Sequence, residues 1–172
     1  MKTVRLQGLP PVVGPSTRLL VLGSFPGVAS LQAQQYYGHP QNHFWRILQA
    51  LWPDDPLPAR EQYAQRCAWV LAHGLGIWDV YASCEREGSL DSAIRNAEVN
   101  DFAALRAQCP QLQLIVHNGG ESFRHAKRVR AGLGVEHFPL VQLPSTSPAN
   151  ASWSFERKLE AWREAVVWAG LL

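Results

Sequence analysis

Short apolar runs along the chain alternate with stretches in which the apolar residues recur at helical spacing. Arg18-Leu-Leu-Val-Leu-Gly23 is an apolar run closed by glycine, the pattern of a strand buried on both faces. From Asn42 the period changes, with Phe44, Ile47, Leu48 and Leu51 at helical spacing until Pro53. Pro58 to Leu71 predicts a second helix whose apolar end is Ala68–Leu71. Gly76–Val80 reads as a further short strand. Asp101–Cys109 reads as a helix stopped by Pro110, and Gln113–His117 as the clearest second parallel strand. A helix follows Gly120 through about Arg130. His137–Leu143 is a last strand, weakened in its first half or held at an edge by Pro139. Phe155, Leu159, Trp162, Val166 and Ala169 form one helical stripe, with Ser152 or Asn150 available to cap it. Ahead of Arg18, Pro10, Pro11, Gly14 and Pro15 mark a segment that does not begin a helix.

Strands that alternate with helices need crossovers, which predicts an α/β fold: three α/β/α layers around a central, mainly parallel sheet. Ligands of such sheets sit outside the carboxyl ends of the strands. Three loops are expected there: Gly23–Asn42, His117–Gly120 and Leu143–Asn150.

Composition narrows the class. A chain of 172 residues with 47% hydrophobic residues and seven tryptophans reads as one domain, 1–172, with a large core. The net charge of +2 permits a polyanionic partner without arguing for one. Cys67, Cys84 and Cys109 are far apart, with no C-x-x-C spacing, so buried or semi-buried free thiols are expected rather than a metal site or disulfides. No metal or cofactor is expected. With no secretory leader pattern and no apolar run long enough for a bilayer, the expected setting is soluble and cytoplasmic, without membrane contact.

The connection after the first strand is chemically dense. Gly23-Ser-Phe-Pro-Gly27 turns sharply, and its glycines let backbone amides approach a ligand. Gln35-Tyr-Tyr-Gly-His-Pro-Gln-Asn-His-Phe-Trp45 follows. A polar connection of roughly 20 residues in a compact domain is usually functional. Phe44 and Trp45 read as core residues that start the next helix, whereas Tyr37 and Asn42 are candidates for function. His39 and His43 read as scaffold more than as acid–base groups, and Asp79 as a residue that fixes a loop. Arg124, Lys127, Arg128 and Arg130 form a basic helix face that either attracts DNA or is merely solvated.

The run G-S-F-P-G, then Y-Y-G-H-P-Q-N-H-F-W, resembles the first motif of the uracil-DNA glycosylase superfamily. It is closest to the hypoxanthine (deoxyinosine) branch, with the mismatch-specific uracil glycosylases as near relatives. G-I-W-D-V at Gly76–Val80, V-H-N-G at Val116–Gly119 and L-P-S-T-S-P-A-N at Leu143–Asn150 continue the resemblance in order. The first and last motifs are specific.

The resemblance implies an uracil-DNA-glycosylase-like fold and a cofactor-free, monofunctional DNA glycosylase of base-excision repair. Its partner would be double-stranded DNA containing a damaged base, and a monomer is expected. Such an enzyme flips the base into a pocket. Tyr37 matches the stacking aromatic, and base stacking contributes ~1–3 kcal/mol. Asn118 is where the superfamily often carries a base-reading asparagine, though beside Gly119 it also suits a turn. Backbone N–H groups around Ser24 and Phe25 would stabilise charge on the departing base. Phe25 stands where relatives carry a water-handling Asp or Asn. Asn42, the asparagine of N-x-F-W, is therefore the implied catalytic residue, an amide that orients by hydrogen bonding. Leu143 replaces the histidine of the fast uracil enzymes. Pro144, Ser145, Thr146 and Ser147 would contact DNA, the hydroxyls donating to phosphates. Together these departures favour hypoxanthine over uracil, with xanthine possible. A catalytically weak DNA-lesion or nucleotide-binding module and a hydrolase of free nucleosides are the competing classes.

Overall fold

The computed structural model describes residues 4–172. In chain order its elements are β1 (Arg5–Gln7), β2 (Leu19–Gly23), α1 (Val28–Ala33), α2 (Phe44–Leu51), α3 (Tyr63–Ala72), β3 (Leu75–Asp79) and β4 (Tyr81–Glu85). They continue with β5 (Arg95–Val99), α4 (Leu105–Gln108), β6 (Leu114–Asn118), α5 (Gly120–Phe123), α6 (Ala126–Leu133), β7 (Leu140–Leu143) and α7 (Phe155–Trp168). The central sheet has four strands in the order β3-β2-β6-β7, parallel throughout. Burial on both sides explains why β2 is Leu-Leu-Val-Leu up to its closing glycine and why β6 begins Leu-Ile-Val.

Alternation along these strands sorts side chains into two cores. Leu19, Val21, Leu75, Ile77, Leu114 and Val116 point to the face covered by α2, α3 and α7, where Phe44, Trp69 and Trp162 fill the layer. Leu20, Leu22, Ile115 and Leu140 point the other way, onto Phe102, Leu105, Val129 and Leu133. The three layers expected from sequence are thus present. Cys84 and Cys109 are buried free thiols and Cys67 is half-buried.

Several local expectations change. A second sheet, β1-β4-β5, is antiparallel and lies apart from the first. Its β5, Arg-Asn-Ala-Glu-Val, is largely exposed and so lacks the apolar alternation that would betray a strand. The Asp101–Cys109 helix shrinks to one turn, because the Asp101 carboxylate accepts from Ala103 N (2.9 Å) and holds a turn ahead of it. The helix from Gly120 toward Arg130 is broken into α5 and α6. The cap of α7 is Ser154, whose hydroxyl accepts from Arg157 N, while Asn150 and Ser152 are engaged in the preceding loop. Pro139 does shorten the last strand, which lies at the sheet edge.

A candidate active site at the ends of the parallel strands

The last residue of every strand in the parallel sheet, Asp79, Gly23, Asn118 and Leu143, lines a single cleft of about 930 Å³. Register makes them one row, since Gly23 pairs with Asp79 and Asn118 with Leu143. Chain order reverses across β2, with β3 on one side and β6 on the other, which is the crevice where open α/β sheets hold ligands. The walls come from the three expected loops and from residues 89–92, between β4 and β5.

Tyr37 reaches the cleft with φ +53°, a left-handed conformation that a tyrosine rarely adopts. Its ring packs on Phe44, centroids 4.1 Å apart at 30°, and its hydroxyl accepts from Asn118 Nδ2 at 3.2 Å. Burial raises the Tyr37 phenol well above its ordinary value, so the hydroxyl stays neutral. Gly23 is required beside it. A Cβ there would lie 2.5 Å from Asp79 Oδ1 and 3.2 Å from the Tyr37 hydroxyl.

Asn42 sits just before α2, half-buried on the cleft wall. Its Oδ1 accepts from Phe44 N at 2.9 Å, satisfying one of the open N–H groups of the helix start. Among the described residues its Nδ2 has no protein acceptor. The sequence therefore ties this amide to the helix by one end and offers the other to the cleft.

Asn118 is more fully committed. Its Oδ1 accepts from Thr146 N, and its Nδ2 donates to Thr146 Oγ1, both at 3.0 Å. Thr146 is wholly buried, so it fastens the loop from within rather than presenting its hydroxyl to a ligand. Thr146 O accepts from His43 N, joining this loop to the start of α2. Pro144 O accepts from Trp162 Nε1, and Lys158 Nζ lies 3.4 Å from Ser147 O and 3.3 Å from His43 Nδ1. Burial lowers both Lys158 and His43, which fits a neutral imidazole accepting from the amine. His43 is thus scaffold. His39 lines the cleft, its Nδ1 accepting from Gln41 N at 3.1 Å. Pro144, Ser145 and Ser147 remain half-buried on the wall. Gly119, at φ +97°, leaves room for Ser145, whose Cβ would be 3.1 Å from an added methyl.

Ser24 and Phe25 line the cleft, and the side chain of each is engaged within the protein. The Ser24 hydroxyl donates to Asp91 Oδ1 at 2.6 Å. Phe25 is buried in the second core beneath the Arg86 guanidinium, 5.3 Å from its ring.

Sequence reasoning missed the 86–93 segment entirely. Arg86 Nη2 donates to Pro26 O (2.6 Å), Ser89 Oγ accepts from Val28 N (2.9 Å), and exposed Leu90 reaches the cleft rim. The pattern C-E-R-E-G-S-L-D-S carries Gly and Ser turn signals, but nothing in it points back to Gly23–Gly27. The basic helix face lines no part of the cleft. Arg124 is bonded to Glu121, and Arg130 Nε donates to Phe138 O. Among the described residues no group of three or more His, Cys, Asp or Glu could hold a metal ion. No described helix is long and apolar enough to cross a membrane.

Comparisons with known proteins match this architecture. A protein from Methanosarcina barkeri named hypoxanthine DNA glycosylase is 36% identical over 94% of this chain and 98% of its own length. One of the same name from Methanosarcina acetivorans is 37% identical over 90% of this chain and 94% of its own. A solution NMR structure from Methanosarcina acetivorans, described as a candidate uracil DNA glycosylase, superposes with TM-score 0.79 at 35% identity. That superposition covers 98% of this chain and 99% of the other. The model of the uracil DNA glycosylase superfamily matches residues 10–166, and the chain belongs to that superfamily.

Proposed function

We propose that this protein is a monofunctional DNA glycosylase that hydrolyses the N-glycosidic bond of a deaminated base, hypoxanthine above uracil or xanthine, extruded from duplex DNA. The observation that supports this best is the convergence of Tyr37, Asn42 and the four strand ends on one cleft. Two relatives named hypoxanthine DNA glycosylase, similar over nearly their whole length, favour that base.

In this reading Tyr37 stacks on the flipped base, its ring already fixed against Phe44. Asn42 is the catalytic amide: its free Nδ2 orients the reacting partners, while its Oδ1 holds the residue to α2. As C1′–N cleavage drives charge onto the base, backbone N–H groups of the Ser24–Phe25 turn stabilise it. Asn118 serves the base by positioning, since both ends of its amide hold Thr146 and Tyr37. The rigid Pro144–Ser147 loop meets the DNA backbone with its Ser145 and Ser147 hydroxyls. We also read residues 1–172 as one glycosylase domain, acting as a cytoplasmic monomer; light scattering in solution tests the monomer.

The test uses labelled duplexes that carry hypoxanthine, uracil or xanthine, incubated with the protein and treated with alkali. Strand breaks are expected, fastest at hypoxanthine. No break at any lesion with protein in excess overturns the reading. Tight lesion binding without cleavage would instead make the protein a recognition module, the alternative that Phe25 suggests.

A further inference from the structure

Phe25 occupies the place of the expected water-handling side chain and points into the core, yet the floor of the cleft still holds a carboxyl group. Asp79 closes β3 directly beside Gly23, and its Oδ1 packs so tightly on that residue that only glycine fits. Asp79 is 5% exposed, and its Oδ2 is buried without any hydrogen-bond partner among the described residues. Leaving a buried carboxyl oxygen unsatisfied is costly, and such groups call for a role. Nothing structural supplies one, because the contact to Asn100 Nδ2 is made by the Asp79 backbone carbonyl.

We propose that Asp79 is the general acid of the reaction, a neutral carboxyl that donates its proton to the departing purine. The inference rests on the glycosylase reading above. Charge and chemistry select the acid over a base. Among the described residues no cation is bonded to the carboxyl, and a carboxylate here would repel the negative charge that grows on the base. Burial, with Asp91 adding to it and Arg86 opposing, pushes the Asp79 carboxyl up to about 7. The other groups facing it are the phenols of Tyr36, Tyr37 and Tyr63, all neutral for the same reason. Asp79 therefore holds its proton up to about pH 7 without becoming too weak an acid to give it up.

The step balances simply. The C1′–N9 bond breaks and its electron pair stays with the base. The Asp79 O–H bond breaks and its proton joins a ring nitrogen of the base, which leaves neutral. Water adds through oxygen to C1′ and releases a proton to solvent, from which the Asp79 carboxylate is reprotonated.

Single-turnover excision from a hypoxanthine duplex, followed from pH 5.5 to 9, tests the assignment. In the wild type the rate is expected to fall as pH rises through about 7, as Asp79 loses its proton. In Asp79→Asn, which keeps the shape, the rate at pH 6 should drop about 100-fold and the alkaline fall should vanish. Binding to a duplex with a tetrahydrofuran abasic site should stay within threefold. Asp91→Asn removes a neighbouring negative charge, so it should move the wild-type fall to lower pH. A wild-type rate that is flat or rises across this range overturns the proposal, even if Asp79→Asn cannot be folded. So does an Asp79→Asn protein that keeps its rate or its alkaline fall. Wild-type protein that leaves the duplex uncut would overturn the glycosylase reading instead.

Discussion

Residues 143–150 and residues 86–93 border the same cleft, but they are fastened to it in different ways. The first is knitted to the parallel sheet and the aromatic core. Asn118 pairs with Thr146 through donor and acceptor, His43 N reaches Thr146 O, Trp162 holds Pro144 O, and buried Lys158 lies under Ser147. The second hangs from the antiparallel sheet, with residues 87–92 exposed and single contacts from Ser24, Val28 and Pro26. A wall with many buried partners cannot shift without disturbing the core, whereas one held mostly by exposed polar contacts opens locally at smaller cost. The difference locates the demand for precision. Tyr37 and Asn42, the proposed stacking ring and catalytic amide, lie on the knitted side.

The largest effect expected from breaking this contrast is chemical. Asn42→Ser keeps an oxygen that can serve Phe44 N but removes the amide, so single-turnover excision should fall about 100-fold. Thermal stability should change by only a few tenths of a kcal/mol. An unfolding midpoint that drops along with activity would mean that Asn42 acts through the helix start alone.

Asn118→Ala breaks the knitted wall itself. It leaves the buried Thr146 N–H and hydroxyl without partners, at a cost of about 2 kcal/mol. The unfolding midpoint should fall by about 4–8 °C, with weaker binding to abasic-site duplex. Unchanged melting would show the loop to be held by its prolines.

Beneath the cleft, Asp79 at its floor and the fully buried His117 carry two titrations that oppose each other. Burial pushes His117 down to about 4, its Nδ1 bonded to Ser122 Oγ and its Nε2 without a partner among the described residues. Its contribution is present above the ordinary histidine range and lost as pH falls through about 4. Asp79, pushed up to about 7, does the reverse: its contribution is present in acid and lost as pH rises through 7. Wild-type stability should therefore stay level from pH 7 to pH 5, while Asp79→Asn loses about 2 kcal/mol over that span. Denaturant titrations at the two pH values check it, and equal slopes in both proteins would refute the opposition.

The smallest effect belongs to the loosely held wall. Ser24→Ala removes one hydrogen bond to an exposed aspartate, costing about 1 kcal/mol or less. Excision should change by less than tenfold. A loss as large as that of Asn42→Ser would show both walls to be equally committed to the chemistry.

Much of the parallel core was legible because its signals are local. β2 and β6 are apolar runs too short for helices, and α2 and α7 show a stripe at helical period. The three wall loops could be placed because strand ends in such sheets share one edge. The antiparallel sheet was not legible. β5 is exposed on both faces, and β4 follows β3 after one residue, so no turn signal separates them.

For the cleft, the amino-acid sequence by itself determined which residues are candidates for the chemistry: a tyrosine and an asparagine in a glycine-bounded loop, and a Ser/Pro loop near the end. Only the tertiary structure decided how each is used. It turned Phe25 into the core, spent the Asn118 amide on Thr146, and brought Asp79, from a strand 56 residues after Gly23, to that glycine's side. The reason is that hydrogen-bond satisfaction and desolvation depend on neighbours distant in sequence. A side chain's identity is written in the chain, but its partners and its charge state are set by what folds against it.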